Sequence, residues 1–355
     1  MTILPSLSPA PSHRETLYSY LARLASAWRT TAPELTYDMG APFKRFLEHD
    51  DAAFEVLADW AKLDSETIEE LLSWTGIRAG NVRMKFRGEL YTSRALRNPV
   101  MRGCPVCLRE DVIDADSPAS SNMVMRGHWQ MREANLCVKH GHPLVRLWEA
   151  ATPRARFEMG ARLREIEADI LSGAFDQPTR NPSAYDLWLD QRLEDGSDDT
   201  WLKDHSVFAV TTLCRFLGEV LPSECVNDNA QGSGAIHAAG FTVIVNGKTA
   251  IRAALDQIVS RAAGSFYEPP MIFGNLYSRL KREYIGEESF DPFRDILREC
   301  IFANWPVAAG EDILGEALQS RRLHSLRTAA METGIGAKSL IQNYSNDFSF
   351  LRDVV

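Results

Sequence analysis

The chain has 355 residues, of which 45% are hydrophobic and 25% are charged. This composition excludes collagen, a wholly disordered chain and a small disulfide-rich protein. No apolar run reaches the ~20 residues that a membrane-spanning helix needs. At about 150 residues per domain, the length predicts two or three domains. The N-terminus has no basic residue before its short apolar patch, unlike a secretory signal, so we expect a cytoplasmic protein.

Residues 1–100 are predicted to form an N-terminal helical domain. Ser12 and Glu15 have the spacing of a capping box, so the first helix should begin at Ser12. Its apolar residues recur at helical spacing and predict one buried stripe. They are Leu17, Leu21, Leu24 and Trp28.

A second helix is predicted between Asp64, which has the side chain of an N-cap, and Gly76, which should end it. A basic segment follows directly. Between Arg78 and Arg102 the chain carries seven basic residues and one acid, so this segment is +6 although the whole chain is −9. Helix, glycine turn and basic segment is also the order of a helix-turn-helix, but glycines interrupt the second helix.

This local charge predicts contact with phosphate groups, and the acidic remainder predicts contact with proteins. A solvated basic face is the alternative interpretation. The candidate nucleic-acid-binding residues here are Arg78, Arg83, Lys85 and Arg87.

A small irregular module is predicted over residues 101–150, where cysteine and histidine residues cluster. Cys104 and Cys107 form a CxxC turn, and Cys137 and His140 form a CxxH turn. Three thiolates and one imidazole make a complete tetrahedral set, so we predict one structural zinc site with no open position for catalysis. The alternatives are a redox CxxC pair and four unrelated core residues.

His142 follows His140 by two residues and is the alternative fourth ligand. We favour His140 because the CxxH spacing reproduces the CxxC turn. His142 lies between Gly141 and Pro143, where closing a turn is the more ordinary role.

The remainder is predicted to be helical, so the fold class is mainly α. A helix over residues 154–171 is followed by a linker over residues 173–183. Further helices complete a helical segment over residues 151–222. The polar, glycine-bearing residues 222–234 separate this segment from a C-terminal helical domain over residues 237–355.

The C-terminal domain is predicted to end in a helix-turn-helix, with Gly334 in the turn. Its second helix would begin near Gly336 and turn polar side chains outward, where they suit phosphates and base edges. These side chains are Lys338, Ser339, Gln342 and Asn343. An ordinary helical pair at the end of a bundle is the alternative.

No sequence motif predicts catalysis. The segment Asn246-Gly247-Lys248-Thr249 resembles the end of a phosphate-binding loop, but Thr242 stands where that loop needs its first glycine. We interpret the segment as a turn before a helix. No nucleophile elbow or HExxH motif occurs.

The sequence resembles the TniQ family of transposon target-selection proteins. The resemblance rests on four segments in about the first 150 residues: residues 15–24, Cys104-Pro105-Val106-Cys107, Cys137-Val138-Lys139-His140-Gly141 and His142-Pro143-Leu144. Weaker similarity follows at Gly240-Phe241, at residues 273–277 and at residues 330–340.

The resemblance implies a non-catalytic adaptor that recognises target DNA or a guide-RNA (CRISPR) effector complex and recruits an AAA+ transposition regulator. It also implies metal binding by Cys104, Cys107, Cys137 and His140, and it makes a homodimer plausible. Two other classes stay open: a sequence-specific transcription regulator and a metal-dependent nuclease.

Overall fold

The computed structural model describes residues 8–96, 99–113, 118–152, 155–222, 233–262, 268–305, 307, 310–317, 334–336 and 339. The described chain is mainly helical, as predicted, with a Cys3His cluster in a small strand region. It divides into two compact units. Among the described residues, every helix is too short or too polar to cross a membrane.

Unit 1 consists of Met1–Asp198 and Ser206–Phe208. Its helices are α1 Leu17–Ala27, α2 Ala32–Asp38, α3 Phe43–Leu47, α4 Asp51–Ala61, α5 Ser65–Thr75, α6 Ser93–Leu96, α7 Pro105–Glu110, α8 Met159–Ser172 and α9 Ala184–Glu194. Its strands are β1 Ile77–Arg78, β2 Arg83–Phe86, β3 Glu89–Thr92, β4 Val100–Gly103, β5 Leu136–Cys137, β6 His142–Pro143 and β7 Val145–Glu149.

The core of unit 1 begins with the apolar stripe of α1. Leu17, Leu21 and Leu24 are fully buried, and Trp28 packs against the same cluster while partly exposed. Apolar residues of α2 to α5 complete this cluster. The predicted helix therefore exists, but it begins at Leu17, with Thr16 as its N-cap.

The start predicted at Ser12 is wrong because Glu15 has other partners. Its buried carboxylate accepts hydrogen bonds from the Ser12 backbone, the Ser19 hydroxyl and the Arg23 guanidinium. Arg14 has a φ of 60°, which does not belong to a right-handed helix.

The basic segment forms strands, so the helix-turn-helix considered there is also wrong. Strands β1, β2 and β3 make an antiparallel sheet in that order. Arg87 and Gly88 form the tight turn between β2 and β3 with φ values of 48° and 80°, a left-handed pair that suits a hairpin and would interrupt a helix. Met84, Phe86 and Tyr91 are buried, which gives the sheet one core face.

Two further strand pairs frame the cysteine region of unit 1. Strand β4 pairs with β7, and β5 pairs with β6, both antiparallel. Helix α8 ends at Gly173 and α9 begins after the N-cap Ser183. The linker predicted over residues 173–183 is therefore confirmed.

Unit 2 consists of Asp199–His205 and Ala209–Val355. Its elements are the body of α10 Val207–Val220, then α11 Ser233–Ile244, α12 Lys248–Arg261, α13 Pro269–Arg282, α14 Asp291–Asn304, β8 Asp312–Ile313 and β9 Glu316–Ala317. Helices α12 and α14 are linked by Asp256, which accepts a hydrogen bond from Asn304 at 3.2 Å. Residues 245–247 form the short turn predicted before α12.

Candidate metal centre and basic surface

The four predicted ligands lie on two turns held by short strands. Cys104 follows β4 and is the N-cap of α7, whose first turn carries Cys107. Cys137 ends β5, and the backbone amide of His140 returns to the Cys137 carbonyl at 3.3 Å. Each turn therefore presents two donor atoms, and the strand pairs β4–β7 and β5–β6 fix where the turns lie.

These two turns bring the four donor atoms together. The His140 Nδ1 atom lies 3.6, 3.2 and 3.5 Å from the sulfurs of Cys104, Cys107 and Cys137. All four donor atoms lie within 4.8 Å of one another. Zinc bonds of about 2.3 Å to sulfur and 2.0 Å to nitrogen imply similar ligand separations in a tetrahedron. The cluster could therefore hold one metal ion.

The electrostatics of the cluster favour a thiolate at Cys137. Hydrogen bonds from Cys104 and Cys107 lower the pKa of the Cys137 thiol, and burial opposes them less strongly. The pKa of Cys107 is raised, first by its hydrogen bonds to the same thiols. A bound cation would displace the remaining thiol protons, as metal binding to cysteine requires.

His142 is buried but lies outside the cluster. Its Nε2 atom accepts a hydrogen bond from the Gln177 backbone amide at 2.9 Å, and its Nδ1 atom lies 2.6 Å from the Pro143 carbonyl. Both ring nitrogens therefore have partners within the chain. The cluster contains His140 and not His142.

Comparison with known proteins identifies this part of the chain. The TniQ family model matches residues 6–144, a range that contains all four ligands. Residues 6–144 form a TniQ family domain. The family places the chain among transposition-associated proteins. No curated protein matches the chain.

Glu110 is a residue of the TniQ domain that the sequence reasoning missed. It ends α7, and its Oε1 atom lies 2.9 Å from the His140 Nε2 atom. Its other oxygen lies 2.6 Å from Lys139 Nζ, and these contacts with Lys139 and His140 lower the pKa of the carboxyl group. Glu110 follows Cys107 by three residues on a helix, the spacing of side chains on one face, and this was the available signal.

Three of the predicted nucleic-acid-binding residues lie on the β1–β3 sheet. Arg78 and Lys85 are exposed, and Arg83 is half-buried. Lys85 and Arg83 alternate with the buried Met84 and Phe86 along β2. They therefore share the side of the sheet that faces away from the core.

Arg87, the fourth, is occupied by contacts within unit 1. Its guanidinium donates to the carbonyls of Leu193 and Glu194 at the end of α9 and to the Ser73 hydroxyl at the end of α5. It also lies 4.3 Å from the ring centroid of Trp74. Charge counting in the sequence does not distinguish such a structural arginine from an exposed one.

The second predicted nucleic-acid-binding set belongs to the C-terminal helix-turn-helix. Lys338, Gln342 and Asn343 lie outside the described residues, and so does most of that motif. Ser339 is described and exposed.

Proposed function

We propose that the protein is a non-catalytic target-selection adaptor in DNA transposition. The match of residues 6–144 to the TniQ family carries this proposal. The Cys3His arrangement agrees with it, because four protein ligands leave a zinc ion no open position for a reacting water. The adaptor recognises a target and recruits an AAA+ transposition regulator.

Zinc is the proposed resident metal, and Cys104, Cys107, Cys137 and His140 hold it. Three thiolates and one imidazole are a ligand set typical of structural zinc. The ion joins α7 to the β5–β6 turn, so its contribution is to the folding of the module.

Nucleic acid is the proposed target, contacted by Arg78, Arg83 and Lys85 of the TniQ domain. Exposure of Arg78 and Lys85 supports this assignment. Lys338, Ser339, Gln342 and Asn343 form a second proposed contact in the C-terminal domain. The target is DNA itself or DNA presented by a guide-RNA effector complex, and a homodimer is compatible with either.

Reconstituted transposition tests the adaptor function. The protein is mixed with the AAA+ regulator, transposase and donor DNA of its element, and insertion sites are sequenced. We expect targeted insertion with the unaltered protein, and loss of targeting when the protein is omitted or carries Cys107→Ser. Targeted insertion that continues without the protein would refute the proposal.

Direct cleavage of target DNA by the isolated protein is the matched test of the non-catalytic assignment. We expect supercoiled DNA to stay intact in the presence of magnesium. Cleavage abolished by substitution of a carboxylate residue would show a nuclease instead. Tight binding to an operator, with no effect on insertion, would indicate a transcription regulator.

A further inference from the structure

The outward side of the β1–β3 sheet combines cationic and apolar side chains. The strand register places Ile77, Lys85 and Leu90 in one row across the sheet, and Arg83 beside Thr92 in the next. The opposite side carries the buried Met84, Phe86 and Tyr91. The outward side is named the wing face here, and it includes Val82 in the β1–β2 turn.

Two apolar side chains of the wing face are held in solvent. Val82 is 68% exposed and Leu90 is 50% exposed. The backbone around Val82 is tied down, because its carbonyl accepts from the Ser93 amide at 2.8 Å and Ala79 donates to the Arg83 carbonyl at 3.0 Å. The hairpin therefore presents Val82 from a hydrogen-bonded frame.

The charge beside these apolar residues is positive. Arg78, Lys85 and Arg94 are exposed. Glu89 is the single acid of the three strands, and its carboxylate accepts from Arg192 at 3.0 Å and from the Val207 backbone amide at 2.6 Å. Glu89 is thus neutralised within unit 1, and an anionic partner would meet the cations.

We propose that the wing face lies on duplex DNA, with its cations on phosphates and with Val82 and Leu90 against apolar base edges and sugars. This inference rests on the proposed contact between the TniQ domain and nucleic acid, and it specifies the form of the ligand. A β-ribbon fits the major groove, where thymine methyl groups accept apolar contacts. Single strands bind chiefly by stacking on aromatic rings, and the aromatic residues of this sheet, Phe86 and Tyr91, face the core.

The test is binding of the full-length protein to a short mixed-sequence duplex across a salt series, measured by fluorescence anisotropy. One variant, Val82→Ser/Leu90→Ser, removes apolar surface without changing charge. A second, Arg78→Gln/Lys85→Gln, removes two charges. Leu187→Ser is the matched control, because Leu187 is 52% exposed on α9, away from the wing face. Thermal melting of each variant verifies the fold.

We expect the two double variants to differ in their salt dependence. Loss of two phosphate contacts should reduce the slope of log K against log salt by about 1.8. Loss of the apolar contacts should weaken binding about tenfold at every salt concentration and leave the slope unchanged. Leu187→Ser should bind like the unaltered protein.

The outcomes separate this inference from the function on which it rests. If Val82→Ser/Leu90→Ser binds normally while the charge variant weakens binding, the apolar contact is refuted and the phosphate contact stands. If neither variant changes duplex binding, or if single strands bind more tightly than the duplex, the wing face is not a duplex-binding surface. Targeted transposition in the reconstituted system would still support the adaptor in that case.

Discussion

Removal of the Glu110 carboxylate should weaken metal binding although Glu110 is not a ligand. Its oxygen lies 2.9 Å from the His140 Nε2 atom, while His140 Nδ1 faces the three sulfurs. A carboxylate in this place orients the imidazole and raises its basicity, and loss of such a partner typically costs about 10–100-fold in metal affinity. This range corresponds to about 1.4–2.7 kcal/mol.

The structure favours the lower end of that range. The Glu110 side chain is 37% exposed, so water can take part of its place, and its other oxygen is engaged by Lys139 at 2.6 Å. We therefore expect about tenfold weaker zinc binding for Glu110→Ala. Glu110→Gln should fall between Ala and the unaltered protein, because the amide oxygen can still accept but carries no charge.

Chelator competition at neutral pH measures this effect directly. Glu149→Ala is the control, since Glu149 is also a surface glutamate in an ion pair, 2.7 Å from Arg146, and touches no ligand. Its zinc affinity should equal that of the unaltered protein. An unchanged affinity in Glu110→Ala would show that the carboxylate does not support His140, and the reasoning would fail.

Three further predictions concern unit 1. Cys107→Ser should bind less than stoichiometric zinc and melt at lower temperature, and metal analysis with calorimetry tests both; full zinc content would disprove the ligand set. Gly127→Ala should destabilise the protein by about 2–3 kcal/mol in urea unfolding, because the new Cβ would lie 2.2 Å from the Trp74 carbonyl oxygen; an unchanged midpoint would contradict that close approach. Burial lowers the pKa of His128, so the unfolded state binds more protons below its usual pKa of about 6.5, and stability should fall as pH decreases through that value. His128→Phe should flatten this acid limb in unfolding experiments at several pH values, and an equally steep limb in the variant would assign it to other groups.

Local signals predicted the parts of the fold that depend on neighbouring residues. Asp64 caps α5 through the Thr67 amide, and Gly76 ends the helix, as the sequence indicated. The ligand turns were likewise predictable, because CxxC and CxxH spacing fixes which donors can share an ion. The partner of His140 was not, since Glu110 reaches the imidazole only after α7 and the β5–β6 turn have come together.

The β1–β3 sheet was missed for a different physical reason. Charge dominated the reading of this segment, whereas the alternation of Arg83, Met84, Lys85 and Phe86 is the pattern of a strand with one buried side. The same emphasis placed Arg87 among the nucleic-acid contacts. Its partners at the end of α9 lie more than one hundred residues away in sequence, so no local pattern reveals them.

The metal module and the basic sheet are mechanically connected through the segment that follows Arg126. The Gly127 amide donates to the Arg14 carbonyl, Gln130 donates to the Trp74 carbonyl at the end of α5, and the Arg132 amide donates to the Ala95 carbonyl in α6. This segment leads directly into β5 and Cys137, while α5 and α6 flank the sheet. An ion that fixes β5 therefore also restrains the two helices that hold the sheet in place. A structural metal without any contact to DNA can support a DNA-binding surface in this way, which is the role that we assign to it.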